Sequence, residues 1–385
     1  MSGINVRGAT AIVGVAESDL GVVADGMTPQ DLMAQGITRA LADAGLTLAD
    51  VDGLFCAASQ LRMPTLSMCE YLGIAPRFMD SSFIGGASFE TLAAHAALAL
   101  TTGQCDVAVI AYGSTQRSAR GIFTPQRDLN AYDTPYNPRL PITGYALSAT
   151  RHMSEFGTTR EELAEIAVAA RSWAKMNPVA FDKRDLTIEG VLTSKMISTP
   201  LTVRDCCLVT DGGGAVVMVR ADRAKTMRKP AVFLLGYGEA QQHQAITSMP
   251  DLTTTGAKVS GKQAYQMAGL GPKDIDVAQL YDAFTITTLL FLEDLGFCPK
   301  GEGGRFVQNG AIAPGGTLAV NTSGGGLSYC HPGMFGLFLI IEAVRQLRGE
   351  CGPRQVVGAE TAIAHGNGGV LAGQSTLVLG TQSTL

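Results

Sequence analysis

The chain has 385 residues, of which 46% are hydrophobic and 16% are charged, and its formal net charge is −5. This apolar fraction is too high, and this charge too low, for a disordered chain. The acidic balance argues against a nucleic-acid-binding protein, which usually presents a basic patch, but it is compatible with a local basic groove for a phosphorylated ligand. The length predicts two domains, or one large fused unit, each with a core of its own.

Eight cysteines are scattered through apolar contexts, at positions 56, 69, 105, 206, 207, 298, 330 and 351. None forms a C-x-x-C pair, so we expect reduced core thiols and no metal site. The first residues lack the basic and apolar runs of a secretory signal. The most apolar run, 334–344, is too short to span a bilayer and carries Glu342. We therefore expect a cytoplasmic protein without a membrane span.

The first predicted element is a long helix with Thr28 as its N-cap and Pro29 as its first residue. The end of this helix belongs to a repeat: residues 40–52 (ALADAGLTLADVD) and 264–276 (AYQMAGLGPKDID) share six identical positions. Each copy is typical of a helix end, a glycine C-cap and a short turn before a strand. The repeat predicts a duplicated α/β unit.

Both halves continue in the same way along the chain. The first is predicted to have a strand over 53–58, the turn Gly85-Gly86, a helix of small residues over 88–100 and a strand over 107–112. The second is predicted to have a strand over 277–281, a glycine turn before His331, a helix over 335–347, and strands around Val356 and over 377–379. An alanine-rich helix such as 88–100 suits the centre of a layered structure.

A long excursion separates the two halves, and its loop-domain part covers about 114–195. It contains a segment rich in proline and tyrosine over 125–141 and an amphipathic helix opened by Thr159, with Glu162 three residues later as a capping box. A long insertion on a rigid core is a usual place for a substrate lid or an interface. We predict an N-terminal half over 1–230, including this insertion, and a C-terminal half over 231–385.

Four runs, in order along the chain, carry a family resemblance: ISTPLTVRDCCLVTDGGGAVVMV (197–219), YDAF (281–284), NTSGGGLSYCHPGMFG (321–336) and AHGNGG (364–369). Together with the duplication, they resemble the thiolase superfamily, in the lipid-transfer-protein-like branch allied to the thiolase part of sterol carrier protein X. The resemblance implies a five-layered α-β-α-β-α fold of two βαβαβ halves with an inserted loop domain. It also implies acyl-CoA thioester substrates and an oligomer, for which we expect a homodimer.

The sequence departs from the family where the nucleophile should stand. The family has a cysteine opening the first central helix, in a C-x-S-G setting, whereas this chain reads Ile84-Gly85-Gly86-Ala87-Ser88. The cysteine position falls on Gly85 or Gly86, so an acyl-cysteine there is excluded. Ser88 has the hydroxyl of a substitute nucleophile, but no base is evident beside it, and a helix-capping role suits it better. We place Gly86 and Ser88 in the site lining.

Two further motifs supply the main candidate residues. The family's Asn-Glu-Ala-Phe motif reads Tyr281-Asp282-Ala283-Phe284 here. The family asparagine holds a water of the oxyanion hole, and the phenol of Tyr281 can instead donate to an enolate oxygen or, with a lowered pKa, accept a proton. The Gly-His-Pro motif reads Cys330-His331-Pro332, and the resemblance gives its retained histidine the thioester oxygen as partner. The alternatives are a core tyrosine and a turn histidine.

The last motif supplies a second histidine. The family's second cysteine, the acid/base of a C-x-G-G motif, aligns with His365 of His365-Gly366-Asn367-Gly368-Gly369, and a histidine can also move a proton. The alternative is a turn histidine bound to backbone carbonyls. Cys330 is interpreted as a small core residue or as a second thiol. Asp282, Cys330, Asn367 and Gly368 complete the predicted site lining. Three arginines of the insertion, which are either CoA phosphate contacts or solvated surface charges, are Arg117, Arg120 and Arg127.

Two histidines and a tyrosine without a cysteine can hold a thioester carbonyl and move protons, which an enolate intermediate requires. We predict C–C bond cleavage or formation on acyl-CoA thioesters by acid–base catalysis, of retro-aldol type. His331 would bind the thioester oxygen, and Tyr281 and His365 would move protons. The alternatives are a Claisen-type acyltransferase or thiolase using a thiol such as Cys330, and a non-catalytic acyl-CoA or lipid-binding subunit.

The resemblance also implies what accompanies the reaction. Members of this branch pair with a small OB-fold and zinc-ribbon protein, so we expect such a partner. Coenzyme A is expected only as part of the substrate, with no tightly bound cofactor and no nucleic acid.

Overall fold

The computed structural model describes residues 6–119 and 131–385. The strands of the first half are β1 (Thr10–Glu17), β2 (Gly53–Cys56), β3 (Phe78–Asp80), β4 (Val107–Ser114), β5 (Met196–Ser198), β6 (Leu201–Thr202) and β7 (Gly212–Arg220). Those of the second half are β8 (Val232–Gln241), β9 (Val277–Leu280), β10 (Ala319–Val320), β11 (Thr361–Gly368) and β12 (Gly373–Gly380).

The helices run between and around these strands. In the first half they are α1 (Pro29–Ala44), α2 (Pro64–Leu72), α3 (Ser88–Thr101), α4 (Ile142–Phe156), α5 (Arg160–Lys175), α6 (Ile188–Leu192) and α7 (Ala221–Ala224). In the second half they are α8 (Ala257–Ala268), α9 (Thr285–Asp294), α10 (Gly303–Phe306) and α11 (Gly336–Arg348). None of the helices in these described ranges is long and apolar enough to cross a membrane.

The strand order repeats between the halves, which confirms the predicted duplication. The sheet runs β10-β9-β11-β12-β8-β1-β7-β4-β2-β3. In the first half β1 pairs antiparallel with β7 and β7 with β4, while β4, β2 and β3 are parallel. The second half repeats this pattern with β8, β12, β11, β9 and β10. A short antiparallel contact between β1 and β8 joins the two sets.

The repeated segment has the same structure in both copies. Gly45 ends α1 with φ 76°, and Gly269 ends α8 with φ 66°, a left-handed conformation that glycine adopts without steric cost. The aspartate after each turn then binds the next parallel strand. Asp52 accepts hydrogen bonds from the backbone N–H groups of Asp106 and Val107, and Asp276 accepts the corresponding bonds at Glu360 and Thr361.

Helices α3 and α11 form the central layer, because each contacts strands of both halves and they contact each other. Helix α1 packs on the outer side of β1, β4 and β7, and α8 packs on the outer side of β8 and β12. The resulting order of layers is α-β-α-β-α, as expected. The small side chains of α3 permit its burial at the centre, where residues such as Ala93, Ala96 and Ala97 are inaccessible to solvent.

The insertion contains α4, α5 and α6, and the β5–β6 hairpin follows it. Helix α5 begins as predicted: Thr159 Oγ1 accepts the N–H of Glu162 at 3.2 Å, and Glu162 Oε2 accepts the N–H of Thr159 at 2.9 Å. Thr28 caps α1 in the same way, with Asp31 as its partner. We keep the proposed division at 230/231, because it falls between α7 and β8, the first strand of the second set.

One predicted strand is wrong. Val356 does not lie in a strand but follows a short 3-10 turn, Gly352–Arg354, and its N–H is bound by the Oε1 of Gln346 at 2.9 Å. The strand of this region, β11, begins at Thr361, whose backbone N–H donates to the carboxylate of Asp276. The backbone N–H of Val356 is therefore paired with a side chain and not with a neighbouring strand.

Candidate active site

Tyr281 and His331 come together at the centre of the molecule. Tyr281 directly follows β9, and His331 lies in the turn before α11. The Tyr281 Oη is 3.1 Å from the His331 Nε2, and it accepts the N–H of Phe335 at 3.0 Å. The phenol is buried, whereas His331 is partly exposed and Gly333 beyond it is exposed. The pair can therefore be reached from the His331 side.

The turn that carries His331 is fixed from two sides. Thr210 Oγ1 accepts the N–H of His331 at 3.0 Å. The hydroxyl of the fully buried Tyr112 donates to the carbonyl oxygen of Pro332 and accepts the N–H of Met334 at 3.1 Å. Because these bonds hold the backbone on both sides of His331, the position of the turn is fixed before a ligand arrives.

The surroundings of the pair make both of its members neutral near pH 7. Loss of hydration disfavours the charged imidazolium and lowers the pKa of His331 to about 4. Burial, with smaller contributions from Cys207, Tyr145 and Tyr112, raises the pKa of Tyr281 well above its ordinary value. Tyr281 is therefore a hydrogen-bond donor and not a base, and a neutral imidazole can also donate one N–H.

The phenol of Tyr281 fills the space in which the family's nucleophile would begin. A Cβ atom added at Gly86 would lie 2.1 Å from the Cε2 and 2.6 Å from the Oη of Tyr281. Gly85, with φ +73°, instead faces the backbone of Gly368 and Gly369. Of the two glycines at the cysteine position, Gly86 is therefore the one that faces the site, and its lack of a side chain is what allows the tyrosine there.

Ser88 is occupied by the turn before α3. Its Oγ donates to the carbonyl oxygen of Gly85 at 2.7 Å and accepts the N–H of Ile84 at 3.0 Å, and the side chain is fully buried. These bonds stabilise the glycine turn. They leave no base in contact with the hydroxyl among the described residues, as a nucleophile would require.

The imidazole of His365 is not brought to the Tyr281–His331 pair. Its Nδ1 is 2.8 Å from the Oγ1 of Thr376, its Nε2 is 2.9 Å from the Oε1 of Gln374, and its ring packs on Phe291. Side chains alternate along β11, so the neighbouring Gly366 faces α3 and His365 faces away from it. His365 meets the site only through its carbonyl oxygen, which accepts the N–H of Tyr281 at 3.0 Å.

Asn367 and Gly368 connect the site to the insertion and to the glycine turn. The Asn367 amide accepts from Gln374 at 2.8 Å and donates to the hydroxyl of Tyr145 in α4 at 2.9 Å. A Cβ at Gly368 would lie 1.6 Å from the carbonyl oxygen of Ile84, so the two backbones touch there. Both residues shape the site without placing a reactive group in it.

Asp282 anchors the glycine loop that precedes His331. Its carboxyl accepts the N–H of Gly326 at 2.6 Å and that of Leu327 at 3.2 Å. Burial raises its pKa to about 7 despite these bonds. A Cβ at Gly325 would lie 2.0 Å from its Oδ2. Asp282 therefore holds the loop, and both of its carboxyl oxygens are engaged there.

Neither of the two thiols nearest the site has the character of a nucleophile. Cys330 is fully inaccessible, and burial raises its pKa well above the ordinary thiol value, with Glu17 adding to the shift. Cys207 is partly exposed and lies near Tyr281 and Tyr145, but burial also raises its pKa. Thiols are nucleophilic as thiolates, and both environments disfavour the thiolate.

One polar residue beside this site, Glu90 of α3, was not predicted from the sequence. It is fully buried, and its carboxyl lies against Gly366 and Gly336. A signal was present in the sequence, because Glu90 is the only acidic residue of a helix otherwise dominated by small and apolar side chains. An ionisable residue on a helix predicted to be central needs a reason for its burial.

The described part of the chain contains no cluster of histidine, cysteine or acidic residues that could hold a metal ion. Of the three arginines considered for CoA, Arg117 donates to the carbonyl oxygen of Val209 at 2.9 Å and stacks over Phe181. Arg120 and Arg127 lie outside the described residues.

Comparison with known proteins identifies the family of the chain. A thiolase C-terminal domain-like family model matches residues 238–381. The chain is 35% identical to a 17-hydroxy-3-oxo-4-pregnene-20-carboxyl-CoA lyase of Mycobacterium tuberculosis, over 97% of this chain and 100% of the lyase. It is 34% identical to an acetyl-CoA acetyltransferase of Methanothermobacter thermautotrophicus, over 93% and 96% of the two chains. Sterol carrier protein 2 of Bos taurus is 33% identical over 62% of this chain and 45% of its own.

Solved structures extend the likeness to the whole fold. An Ltp2-ChsH2(DUF35) aldolase superposes with a TM-score of 0.89 at 31% identity, covering 99% of this chain and 100% of that chain. Human mitochondrial 3-ketoacyl-CoA thiolase superposes with a TM-score of 0.72 at 15% identity, over 98% and 100% of the chains, which shows the shared fold. The chain belongs to the thiolase superfamily, in its sterol-carrier-protein-2 thiolase-like branch.

Proposed function

We propose that this protein cleaves the Cα–Cβ bond of β-hydroxyacyl-CoA thioesters by a retro-aldol reaction. One observation carries the proposal: the phenol of Tyr281 occupies the space beside Gly86 where a nucleophilic thiol would begin, and it contacts His331. A site without that nucleophile, but with two hydrogen-bond donors at its centre, suits an enolate intermediate and not an acyl-enzyme. The lyase and aldolase relatives support the same chemistry.

The proposed reaction has two steps, which are cleavage of the Cα–Cβ bond and protonation of the enolate at Cα. A base removes the proton of the β-hydroxyl, the O–H electron pair forms the new carbonyl, and the Cα–Cβ pair moves onto the thioester as an enolate. A proton then adds to Cα and gives the shortened acyl-CoA. The Tyr281 Oη and the His331 Nε2 are 3.1 Å apart, so one enolate oxygen can accept hydrogen bonds from both. As both groups are neutral, they stabilise the developing charge without an ion pair.

The remaining predicted residues have supporting roles in this proposal. Phe335 and the carbonyl of His365 position Tyr281. Gly86, Ser88, Asn367, Gly368 and Asp282 fix the turns around the pair. Coenzyme A is part of the substrate, no tightly bound cofactor is required, and the enzyme works in the cytoplasm.

The test is mass spectrometry of the protein with a panel of β-hydroxyacyl-CoA and β-ketoacyl-CoA thioesters, following both small products and intact protein mass. We expect an aldehyde or ketone, a shortened acyl-CoA and no protein adduct. His331→Ala is expected to reduce this cleavage at least about 100-fold, since one oxyanion donor is lost. His95→Ala, which removes a histidine paired with Asp80 outside the site, is the matched control.

Each other result has a definite meaning. A stable acyl adduct would replace the aldolase with the acyltransferase, and its position would identify the nucleophile. Binding of acyl-CoA without turnover would indicate that the protein is a non-catalytic binding subunit. We also propose a small OB-fold and zinc-ribbon partner, as the two-component name of the aldolase structure suggests, and the panel is run with and without it. Full activity in His331→Ala would refute the proposed site.

We further propose that the chain forms a homodimer through the edge of the sheet at β3. This strand ends the sheet, and large apolar side chains are exposed around it: Met79 is 46%, Phe83 57% and Met63 55% exposed. An unpaired apolar strand edge favours pairing with another chain. Light scattering should give twice the chain mass for the wild type and a monomer for Met79→Lys. The exposed Val357→Lys is the control, and a monomeric wild type would contradict the proposal.

A further inference from the structure

Glu90 is a carboxylic acid without a partner at the centre of the protein. Its side chain is 0% exposed, and neither carboxyl oxygen has a hydrogen-bond partner among the described residues. No described cation acts on its charge. Buried carboxyls in folded proteins are nearly always paired, because an unpaired one costs free energy. Its presence therefore requires a compensating use.

Two glycines leave the space that this carboxyl occupies, and one of them also touches Gly86 of the site. A Cβ atom at Gly366 would lie 2.2 Å from the Glu90 Oε2, and one at Gly336 would lie 2.4 Å from the same oxygen. The Cβ at Gly336 would also lie 2.2 Å from the carbonyl oxygen of Gly86, whose own Cα faces the Tyr281 phenol. Gly336 thus lies against both the Glu90 carboxyl and the backbone of Gly86, the residue next to the Tyr281 phenol.

The position of Gly366 has a chemical meaning in this family. Gly366-Asn367-Gly368-Gly369 has the spacing of the C-x-G-G motif, with Gly366 where the motif has its acid/base cysteine. A thiol side chain on residue 366 would point towards the space that the Glu90 carboxyl occupies. The carboxyl reaches this place from α3, on the opposite side of the interface from β11. A carboxyl from α3 therefore lies where the thiol on β11 would lie in the family.

We propose that Glu90 is the catalytic acid–base residue of this site, taking the β-hydroxyl proton of the substrate and returning it to Cα of the enolate. This inference rests on the proposed retro-aldol function. The carboxylate accepts the hydroxyl proton as the carbonyl forms and the Cα–Cβ bond breaks. The resulting carboxylic acid then gives that proton to Cα, and the carboxylate is regenerated. No further acid, base or co-reactant is needed.

The electrostatics of the site suit this cycle. Burial raises the pKa of Glu90 to about 8, so both its ionised and its protonated forms are accessible near neutral pH. Tyr281 and His331 cannot take this role, since the first stays a phenol and the second is a weak base. The division of labour is therefore two neutral donors for the enolate oxygen and one carboxyl for the proton.

The decisive variant is Glu90→Gln, which keeps the shape of the side chain and removes its ionisation. We expect it to lower cleavage of the active β-hydroxyacyl-CoA at least about 100-fold. In D2O, the wild type should exchange the Cα protons of propionyl-CoA, and Glu90→Gln should slow this exchange by a similar factor. The melting temperature of Glu90→Gln should equal or exceed that of the wild type, because a neutral amide of the same shape replaces a carboxyl whose ionised form is costly to bury. Glu239→Gln, which removes a carboxylate bound to Thr91 of the same helix, should keep both activities.

The outcomes separate the two proposals. Cleavage by the wild type together with undiminished cleavage and exchange in Glu90→Gln would overturn the role of Glu90 alone. Absence of cleavage by the wild type on the whole panel would overturn the retro-aldol function, and the acid–base assignment with it. Loss of activity with a large fall in melting temperature would indicate a structural role and count against the proposal. Glu90→Asp, which withdraws the carboxyl by one methylene, should retain more activity than Glu90→Gln.

Discussion

Tyr281→Phe is expected to lower kcat for retro-aldol cleavage by about 10²- to 10³-fold, with a much smaller change in KM. The substitution removes one hydroxyl and leaves the ring, which packs against His331 and Phe335. In the proposed mechanism, the lost hydroxyl donates to the enolate oxygen, where charge develops only as the Cα–Cβ bond breaks. Its loss should therefore affect the transition state more than the bound substrate.

The same variant should lose about 1–2 kcal/mol of unfolding free energy, because the buried N–H of Phe335 loses its acceptor. Steady-state kinetics and urea unfolding measure the two effects separately. Tyr265→Phe is the matched control: its hydroxyl is buried on α8 without a partner among the described residues, so removing it should leave activity unchanged. Equal activities for Tyr281→Phe and the control would show that the phenol is not part of the oxyanion site.

The architecture could be predicted from the sequence because its local signals agree with one another. The shared glycine and aspartate positions of the repeat mark the same helix end and the same strand contact in both halves. Capping residues fix the starts of α1 and α5. Such signals act over a few residues, and each is satisfied by its own segment. Strand pairing, in contrast, joins residues that are distant in the chain, which is why Val356 misled the prediction.

The site was harder to predict because it depends on which face of a strand a residue occupies. Shifting the C-x-G-G motif by one residue, from His365 to Gly366, reverses the side of β11 that carries the chemistry. The sequence alone offers two candidates for the position of the motif's cysteine, His365 and Gly366. Only the contacts of His365 with Thr376 and Gln374 decide the face. Glu90 was missed for a related reason, since its neighbours come from three separate segments.

Three glycines at 86, 336 and 366 acquire a common explanation from the structure. Each would place a Cβ within 2.6 Å of an oxygen of Tyr281 or Glu90. In the sequence they look like ordinary turn residues beside apolar runs. Their role is to leave space for two large polar side chains that arrive from elsewhere. The absence of side chains at these three positions and the presence of the tyrosine and the glutamate are therefore sterically coupled.

This coupling predicts that reintroducing a thiol will not by itself restore thiolase chemistry. In Gly86→Cys, the new Cβ would lie 2.1 Å from the Tyr281 ring, so the phenol must move out of its position. We expect cleavage to fall at least about 100-fold and stability to fall by about 1–3 kcal/mol, the usual cost of overpacking a core. Intact mass spectrometry with β-ketoacyl-CoA should detect no acyl adduct.

The double variant Gly86→Cys/Tyr281→Asn tests the explanation directly, since it removes the phenol and supplies the asparagine of the family motif. We expect it to be more stable than the sum of the two single variants, because the overlap is gone. We also expect an acyl adduct on the introduced thiol, which would lie at the start of α3, where the helix N-terminus favours a thiolate. Gly271→Cys is the control for a glycine with ordinary φ and an open neighbourhood. Undiminished cleavage in Gly86→Cys alone would mean that Tyr281 does not act from this position, and the coupling between the two residues would then be wrong.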